Sequence, residues 1–88
     1  MRPFLNFQKL TDVSKMQRLW LDGVYLELTR FTKKLEINLY ALDDFYVEIF
    51  FDKKNSEPLY IKEFEDVDRL APYFDQIHID DVFEMKKG

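Results

Sequence analysis

The sequence contains no cysteine, and it is poor in the residues that break regular structure. Its 88 residues include two glycines, three prolines and a single histidine. Without cysteine there is no disulfide framework and no thiolate metal site, and this composition fits a reducing compartment. With 47% hydrophobic residues, the chain is also too apolar to be disordered. We therefore predict one globular domain over residues 1–88, with residues 1–10 as a lead-in and residues 84–88 frayed.

The sequence also lacks a long apolar run. No stretch is long enough to span a bilayer, and the N-terminal MRPFLNFQKL has neither the unbroken apolar region nor the cleavage site of a signal peptide. We therefore predict a cytoplasmic protein without a membrane partner.

Positive charge is scarce in the second half of the chain. Residues 1–42 carry seven Lys or Arg against four Asp or Glu, whereas residues 43–88 carry six against thirteen, and the net charge is −4. An acidic protein of this kind repels nucleic acid phosphates. We therefore expect no nucleic acid partner.

The first regular element is a helix from about Asp12 to Asp22. Thr11 is placed to cap its start, and Gly23 is placed where a left-handed residue would end it. The apolar residues that recur at helical spacing are Val13, Met16 and Trp20. We expect these three to face the core.

Beyond Gly23 the apolar period changes from 3.6 to 2, which is typical of strands. The four predicted strands are Val24–Arg30, Lys34–Leu42, Phe45–Phe51 and Leu59–Phe64. Their connections are too short to hold crossover helices, so the strands must form an antiparallel meander.

The strand register follows from which residues must share a face. At the Asp43–Asp44 turn, we expect a three-residue loop or a bulge that pairs Leu39 with Val47, because a two-residue turn would set Leu39 against Glu48. A five-residue loop, residues 53–57, pairs Phe51 with Leu59 and Ile49 with Ile61.

Charged residues also help to fix the strand pairing in the first and third hairpins. The same five-residue loop sets Glu48 opposite Lys62, which is a favourable pair. In the first hairpin, a four-residue loop sets Glu27 opposite Asn38 and avoids a clash with Glu36.

These registers give the sheet an aliphatic face and an aromatic face. The aliphatic residues are Val24, Leu26, Leu28, Leu35, Ile37, Leu39, Phe45, Val47, Ile49, Phe51, Leu59 and Ile61. On the opposite face, a polar stripe with Glu27 and Glu48 runs between aromatic residues. Six of these are predicted to form an interaction surface: Tyr25, Tyr40, Tyr46, Phe50, Tyr60 and Phe64.

The C-terminal segment returns to helical spacing, with apolar residues at Val67, Leu70, Ala71, Phe74 and Ile77. Pro72 lacks an amide donor, so we expect a kink there. The tail from Ile77 could form a fifth strand or an arm over the aromatic face. The predicted fold is a two-layer α+β domain with both helices on the aliphatic face.

Several short motifs carry a resemblance to a known family. They are Leu19-Trp20, Gly23-Val24, Leu39-Tyr40, Leu42-Asp43, Phe45-Tyr46-Val47-Glu48, Pro72-Tyr73 and Ile77. With them the chain resembles a family of short bacterial proteins, mostly from Bacteroidetes-type genomes. In that family a W-x-x-G-V step leads into a strand, L-Y-x-L-D-x-F-Y-V-E forms a hairpin, and L-x-P-Y-L-x-x-I follows. The chain departs from the pattern at Asp44 and Phe74. The resemblance implies a cytoplasmic domain of unassigned activity and adds no catalytic residue.

No catalytic or metal-binding constellation stands out. The serines, Ser14 and Ser56, lack a glycine-rich elbow or a neighbouring base. His78 with Asp80 and Asp81 offers too few strong ligands for a transition metal, and we read it as a solvated cluster. We read Glu27 and Glu48 as a polar ladder, so we expect no cofactor, no metal and no enzymatic activity.

The aromatic face therefore carries the functional prediction. Two copies could pack on it as a homodimer, another protein could bind it, the tail could cover it, or the tyrosines could serve only as good strand formers. We favour a non-catalytic protein-interaction module. The alternative is a small-molecule site between helices and sheet, which we disfavour because the aliphatic face is expected to be filled. The residues expected to fill it are Val13, Met16, Trp20, Leu70 and Phe74.

Overall fold

The chain folds as an α+β domain in which helical segments flank a four-stranded antiparallel sheet. The structure is a computed structural model and describes residues 2–76. The elements are α1 (Pro3–Gln8), α2 (Asp12–Asp22), β1 (Val24–Phe31), β2 (Leu35–Leu42), β3 (Phe45–Asp52), β4 (Pro58–Phe64) and a 3₁₀ segment (Val67–Gln76). The predicted class and the order of the α2, strand and C-terminal helical elements are confirmed. The tail from Ile77, with its fifth strand or arm, lies outside the described residues.

The N-terminal helix α1 falls within the predicted lead-in. Pro3 occupies its first turn, where a missing amide hydrogen costs nothing, and Arg2 precedes it without a side-chain cap. Phe7 is 1% exposed and packs its ring against Phe45 at a centroid distance of 5.4 Å. This end of the chain therefore belongs to the core. None of the helices within residues 2–76 is long and apolar enough to cross a membrane.

Helix α2 begins and ends at the predicted residues, but it ends for a different reason. Thr11 Oγ1 accepts a hydrogen bond from the Ser14 backbone amide at 3.2 Å, as predicted for a cap. Gly23 is not left-handed, because its φ is −75° and its ψ is 150°. A Cβ there would lie 2.6 Å from the Leu19 carbonyl oxygen. The glycine is needed because the backbone of α2 passes too close for a side chain.

The strands follow the predicted meander order, β1-β2-β3-β4. Between β3 and β4, Ile49 lies opposite Ile61 and Glu48 lies opposite Lys62, as predicted. The predicted pairing of Phe51 with Leu59 is wrong, because the register shifts after Phe50 and Phe51 lies opposite Pro58. Between β2 and β3 the prediction is wrong, because the turn has only two residues and Leu39 lies opposite Glu48. This pairing is tolerated because Glu48 has partners on other elements, described below.

A bulge in β1 changes the first hairpin. Near its start, Tyr25 lies opposite Tyr40 as predicted, but Thr29 instead of Glu27 lies opposite Asn38. The register shifts between Tyr25 and Leu28, and Glu27 has a φ of 59°, a conformation that occurs in bulges. The predicted register is therefore right for the first residues of β1 and wrong for the rest, and the predicted four-residue loop is wrong because Phe31 still pairs with Glu36.

The revised registers place apolar residues on both faces of the sheet. On the first, called the α2 face, Phe7 and Leu19 pack on Leu42, Phe45, Val47, Ile49 and Ile61. On the second, called the 3₁₀ face, Tyr73 packs on Leu39 and Phe64, with Leu26, Leu28, Tyr46 and Leu70 around them. The 3₁₀ segment, with Pro72 inside it, packs on one sheet face as predicted. It is the face opposite α2, so the expectation that both helices share one face is wrong.

The rotation of α2 also differs from the prediction. Lys15 and Leu19 are its buried residues, whereas Val13 is 69% exposed and Trp20 is 80% exposed. Lys15 Nζ lies 3.0 Å from Oε1 of Glu63 on β4, with both side chains nearly buried. This ion pair turns the Lys15 side of α2 toward the sheet, so Trp20 does not reach the core.

Candidate functional site

The six predicted interaction residues do not lie on one surface. Tyr25 and Tyr40 pair on the α2 face, with ring centroids 5.1 Å apart. The other four lie on the 3₁₀ face as two stacked pairs, Tyr46 with Phe64 at 5.6 Å and Phe50 with Tyr60 at 4.4 Å. Phe50 and Phe64 are buried there. The two-residue turn at Asp43 separates the six, because it puts Tyr40 and Tyr46 on opposite faces.

The polar stripe of the prediction becomes a buried cluster, here called the Glu48 centre. Glu48 is 2% exposed, although its sequence position suggested a wetted residue. Its Oε2 accepts a hydrogen bond of 2.6 Å from the Tyr73 hydroxyl and another of 3.1 Å from Arg30 Nε. Glu27, its predicted neighbour in the ladder, is exposed at the bulge. A buried carboxylate requires such charged or hydroxyl partners.

The side chains around the Glu48 centre reinforce one another. The Arg30 guanidinium lies 5.8 Å from the Phe50 ring centroid and 5.9 Å from that of Tyr73, within the range of cation–π attraction. Burial, together with the hydrogen bond to Glu48, raises the pKa of the Tyr73 hydroxyl well above its usual value. The hydroxyl therefore stays protonated and keeps donating to Glu48 at neutral pH.

The Glu48 centre joins the 3₁₀ segment to the sheet. Tyr73 comes from the 3₁₀ segment, Arg30 from β1 and Glu48 from β3. Nearby, the side-chain amide of Gln76 binds the backbone of Thr29: its Oε1 accepts from the amide at 3.1 Å, and its Nε2 donates to the carbonyl. The carboxylate is buried, and its hydrogen bonds tie these three elements together. We conclude that the Glu48 centre is structural.

The raised pKa of Tyr73 predicts a loss of stability in alkali. The folded state holds the proton more tightly than the unfolded state, so the contribution is complete below the usual tyrosine pKa of about 10 and declines as the pH rises through the folded-state value. We expect the stability difference between the wild type and Tyr73→Phe to shrink between about pH 10 and about pH 11. Urea unfolding across this range measures it, and a difference that stays constant would contradict the assignment.

The exposed side of α2 forms a groove with the sheet, here called the α2–β4 groove. Its outer hollow, of about 410 Å³, lies between Val13, Met16 and Trp20 of α2 and Pro58, Leu59 and Ile61 of β4. Its inner hollow, of about 350 Å³, extends under Trp20 to Tyr40, Ile49 and Phe51. Met16, Trp20 and Pro58 line both hollows, so the two hollows adjoin each other.

The α2–β4 groove concentrates exposed apolar surface. Val13 and Trp20 are mostly exposed, and Leu59 is half exposed. The polar residues of the outer hollow, Asp12 and Gln17, come from α2. An apolar groove of this size with few polar groups is a typical binding site for an apolar ligand or for a partner's side chains.

Sequence analysis missed the groove because it assigned Val13 and Trp20 to the core. The 3.6-residue period of α2 fits two helix faces, one through Val13 and Trp20 and one through Lys15 and Leu19. Hydrophobicity alone favours burying the first face, because the second contains a lysine. The expected filling of the aliphatic face is also wrong for Phe74, which is half exposed. The sequence signal that could have found the buried lysine is Glu63, an acidic residue at an inward-facing position of β4.

The other sequence candidates are two serines and the cluster around His78. Ser14 belongs to the cap of α2, and its hydroxyl lies 3.1 Å from Thr11 Oγ1. The described residues hold no group of three or more potential metal ligands. His78, Asp80 and Asp81 lie outside the described residues.

Comparison of the chain with protein-family models, with curated proteins and with solved structures gives no match. The resemblance to the bacterial family therefore stays a prediction. Function must be argued from the geometry of the groove.

Proposed function

We propose that this chain is a non-catalytic protein-interaction module of the cytoplasm, and that its binding surface is the α2–β4 groove. The observation that carries the proposal is the exposure of Trp20, the single tryptophan of the sequence, beside two adjoining apolar hollows. Tryptophan is the residue type most enriched at the energetic centres of protein interfaces. Its occupant in this proposal is a segment of a protein partner with apolar side chains.

The position of the exposed surface favours a protein over a small molecule. A small molecule could fill the two hollows, whose volumes fall within the range of about 300–1,000 Å³ for such sites. It would leave the outward sides of Val13 and Trp20 in water, since these side chains stand 69% and 80% exposed. A protein segment lying along the groove covers the hollows and these outer surfaces together.

Replacing Trp20 with serine is expected to abolish most of the binding. We would select a random dodecapeptide library displayed on phage against the wild type and measure selected peptides by fluorescence anisotropy. Loss of an interface tryptophan costs about 2 kcal/mol or more, so affinity should fall about 30-fold or more. In addition, the emission of Trp20 should shift to shorter wavelength when a peptide covers it.

Leu21→Ser is the matched control. Leu21 is 81% exposed on the same helix but is not among the residues that line the groove, so its loss removes apolar surface without touching the site. Peptides that bind all three proteins equally would refute the proposal. Light scattering over a concentration series adds a further outcome: a wild-type dimer that Trp20→Ser dissociates identifies a second copy as the occupant.

The small-molecule alternative has its own signature. Metabolites that raise the melting temperature in a saturable way, in a protein that selects no Trp20-dependent peptide, would establish it in place of the protein partner.

A further inference from the structure

One end of the sheet carries a concentration of lysines that contrasts with the acidic chain. Lys33 and Lys34 lie between β1 and β2, Lys53 and Lys54 follow β3, and these four line one surface hollow with Asp52. The carbonyl of Lys34 accepts a hydrogen bond of 2.9 Å from the Lys53 amide, which holds the two loops together. We call these four residues the lysine cluster.

The acidic groups near the lysine cluster do not neutralise it. Asp52 Oδ1 accepts a hydrogen bond of 2.8 Å from the backbone amide of Lys54, and Glu57 is exposed at the other end of the loop. Lys53 Nζ lies 5.3 Å from the centroid of the exposed Phe31 ring and 3.5 Å from the Thr32 carbonyl oxygen. Glu36, near the start of β2, lines a neighbouring hollow with Asp52. Four lysines thus face three carboxylates on a chain whose net charge is −4.

The lysine cluster borders the α2–β4 groove. Phe51 and Pro58 both line the inner hollow of the groove, and the loop that joins them, residues 52–57, carries Lys53 and Lys54. A segment that leaves the groove at this end therefore passes the loop that carries these two lysines. Complementary charge at the rim of an apolar contact selects partners and speeds their association.

We infer that the partner segment pairs apolar anchors with a neighbouring run of acidic residues. The apolar side chains lie in the α2–β4 groove beside Trp20, and the carboxylates face the lysine cluster. This inference rests on the proposed function, and it names the chemistry of the segment that the groove selects. An acidic protein segment fits better than an extended polyanion, because the rest of the chain repels phosphates along a longer contact.

The test uses the same selected dodecapeptides. We expect acidic residues to be enriched within a few positions of the apolar anchors. Affinity should fall about 3- to 10-fold in the double variant Lys53→Gln with Lys54→Gln, as expected for two exposed ion pairs. It should also weaken as sodium chloride rises from about 50 to about 300 mM.

Lys62→Gln provides the control, because it makes the same change of charge at an exposed residue of β4 that lines neither the groove nor the lysine cluster. Peptides that depend on Trp20 but lack acidic residues, or whose affinity the double variant leaves unchanged, would overturn the inference and leave the proposed function intact. Absence of any Trp20-dependent peptide would overturn both. Circular dichroism confirms that each variant is folded.

Discussion

Replacing Tyr73 with alanine is expected to lower the free energy of unfolding by about 3–5 kcal/mol. Tyr73 is 0% exposed and packs on Leu39 and Phe64, so truncation leaves a cavity on the 3₁₀ face. It also removes a hydrogen-bond donor from the buried carboxylate of Glu48. Because small domains have a total stability of about 5–15 kcal/mol, the variant should lie close to the unfolding threshold. Urea unfolding followed by circular dichroism measures the loss.

Two substitutions separate the causes. Tyr73→Phe keeps the ring and removes only the hydroxyl, so we expect a loss of about 1.5–3 kcal/mol, the usual range for a hydrogen bond to a charged group. Phe74→Ala is the matched truncation of the next residue. Because Phe74 is half exposed, it should lower the free energy of unfolding much less than Tyr73→Ala does. Equal losses for Tyr73→Ala and Phe74→Ala would show that Tyr73 does not anchor the 3₁₀ segment.

Phe7→Ala is expected to destabilise the protein by a similar amount, about 3–5 kcal/mol. Phe7 lies in the segment that the sequence analysis treated as a lead-in to the first helix. Phe7 is 1% exposed and contacts Phe45, and α1 covers this part of the α2 face. Leu5→Ala on the same helix is the control. Because Leu5 is exposed, this substitution should lower the free energy of unfolding by less than about 1 kcal/mol. Thermal unfolding of both variants compares them. A Phe7→Ala protein as stable as Leu5→Ala would mean that α1 does not pack in solution.

Much of the fold could be predicted because local signals agreed with tertiary packing. The cap at Thr11 and the helical period of residues 12–22 located α2. The alternation of residues 24–64 located the strands, and their short connections left only a meander. The pair Glu48 and Lys62 gave the correct register between β3 and β4 from Tyr46 to Phe50. The helix α1 was missed because it is one and a half turns long and lacks a capping side chain, although Pro3 at its first position is a start signal.

The errors at the candidate site have one origin, which is the assumption that charged residues lie outside. That assumption rejected the two-residue turn, because it would have placed Glu48 among apolar residues. It also turned the Lys15 side of α2 to solvent and Trp20 to the core. Both charges are in fact buried or nearly so, and their partners are distant in sequence: Arg30 and Tyr73 bind Glu48, and Glu63 binds Lys15. No pattern within a single strand or helix contains those partners.

The bulge in β1 determines whether the Glu48 centre can exist. If Leu26 and Glu27 did not interrupt the ladder, the pairing of Tyr25 with Tyr40 would continue in step and bring Arg30 opposite Leu35 instead of Ile37. That is a displacement of two residues, or roughly 7 Å along the sheet, more than a hydrogen bond to Glu48 can tolerate. The alternation of β1 would survive such uninterrupted pairing, because a shift of two residues preserves the faces. By leaving the ladder, Leu26 and Glu27 thus keep unchanged which way Arg30 points and set only how far along the sheet it lies.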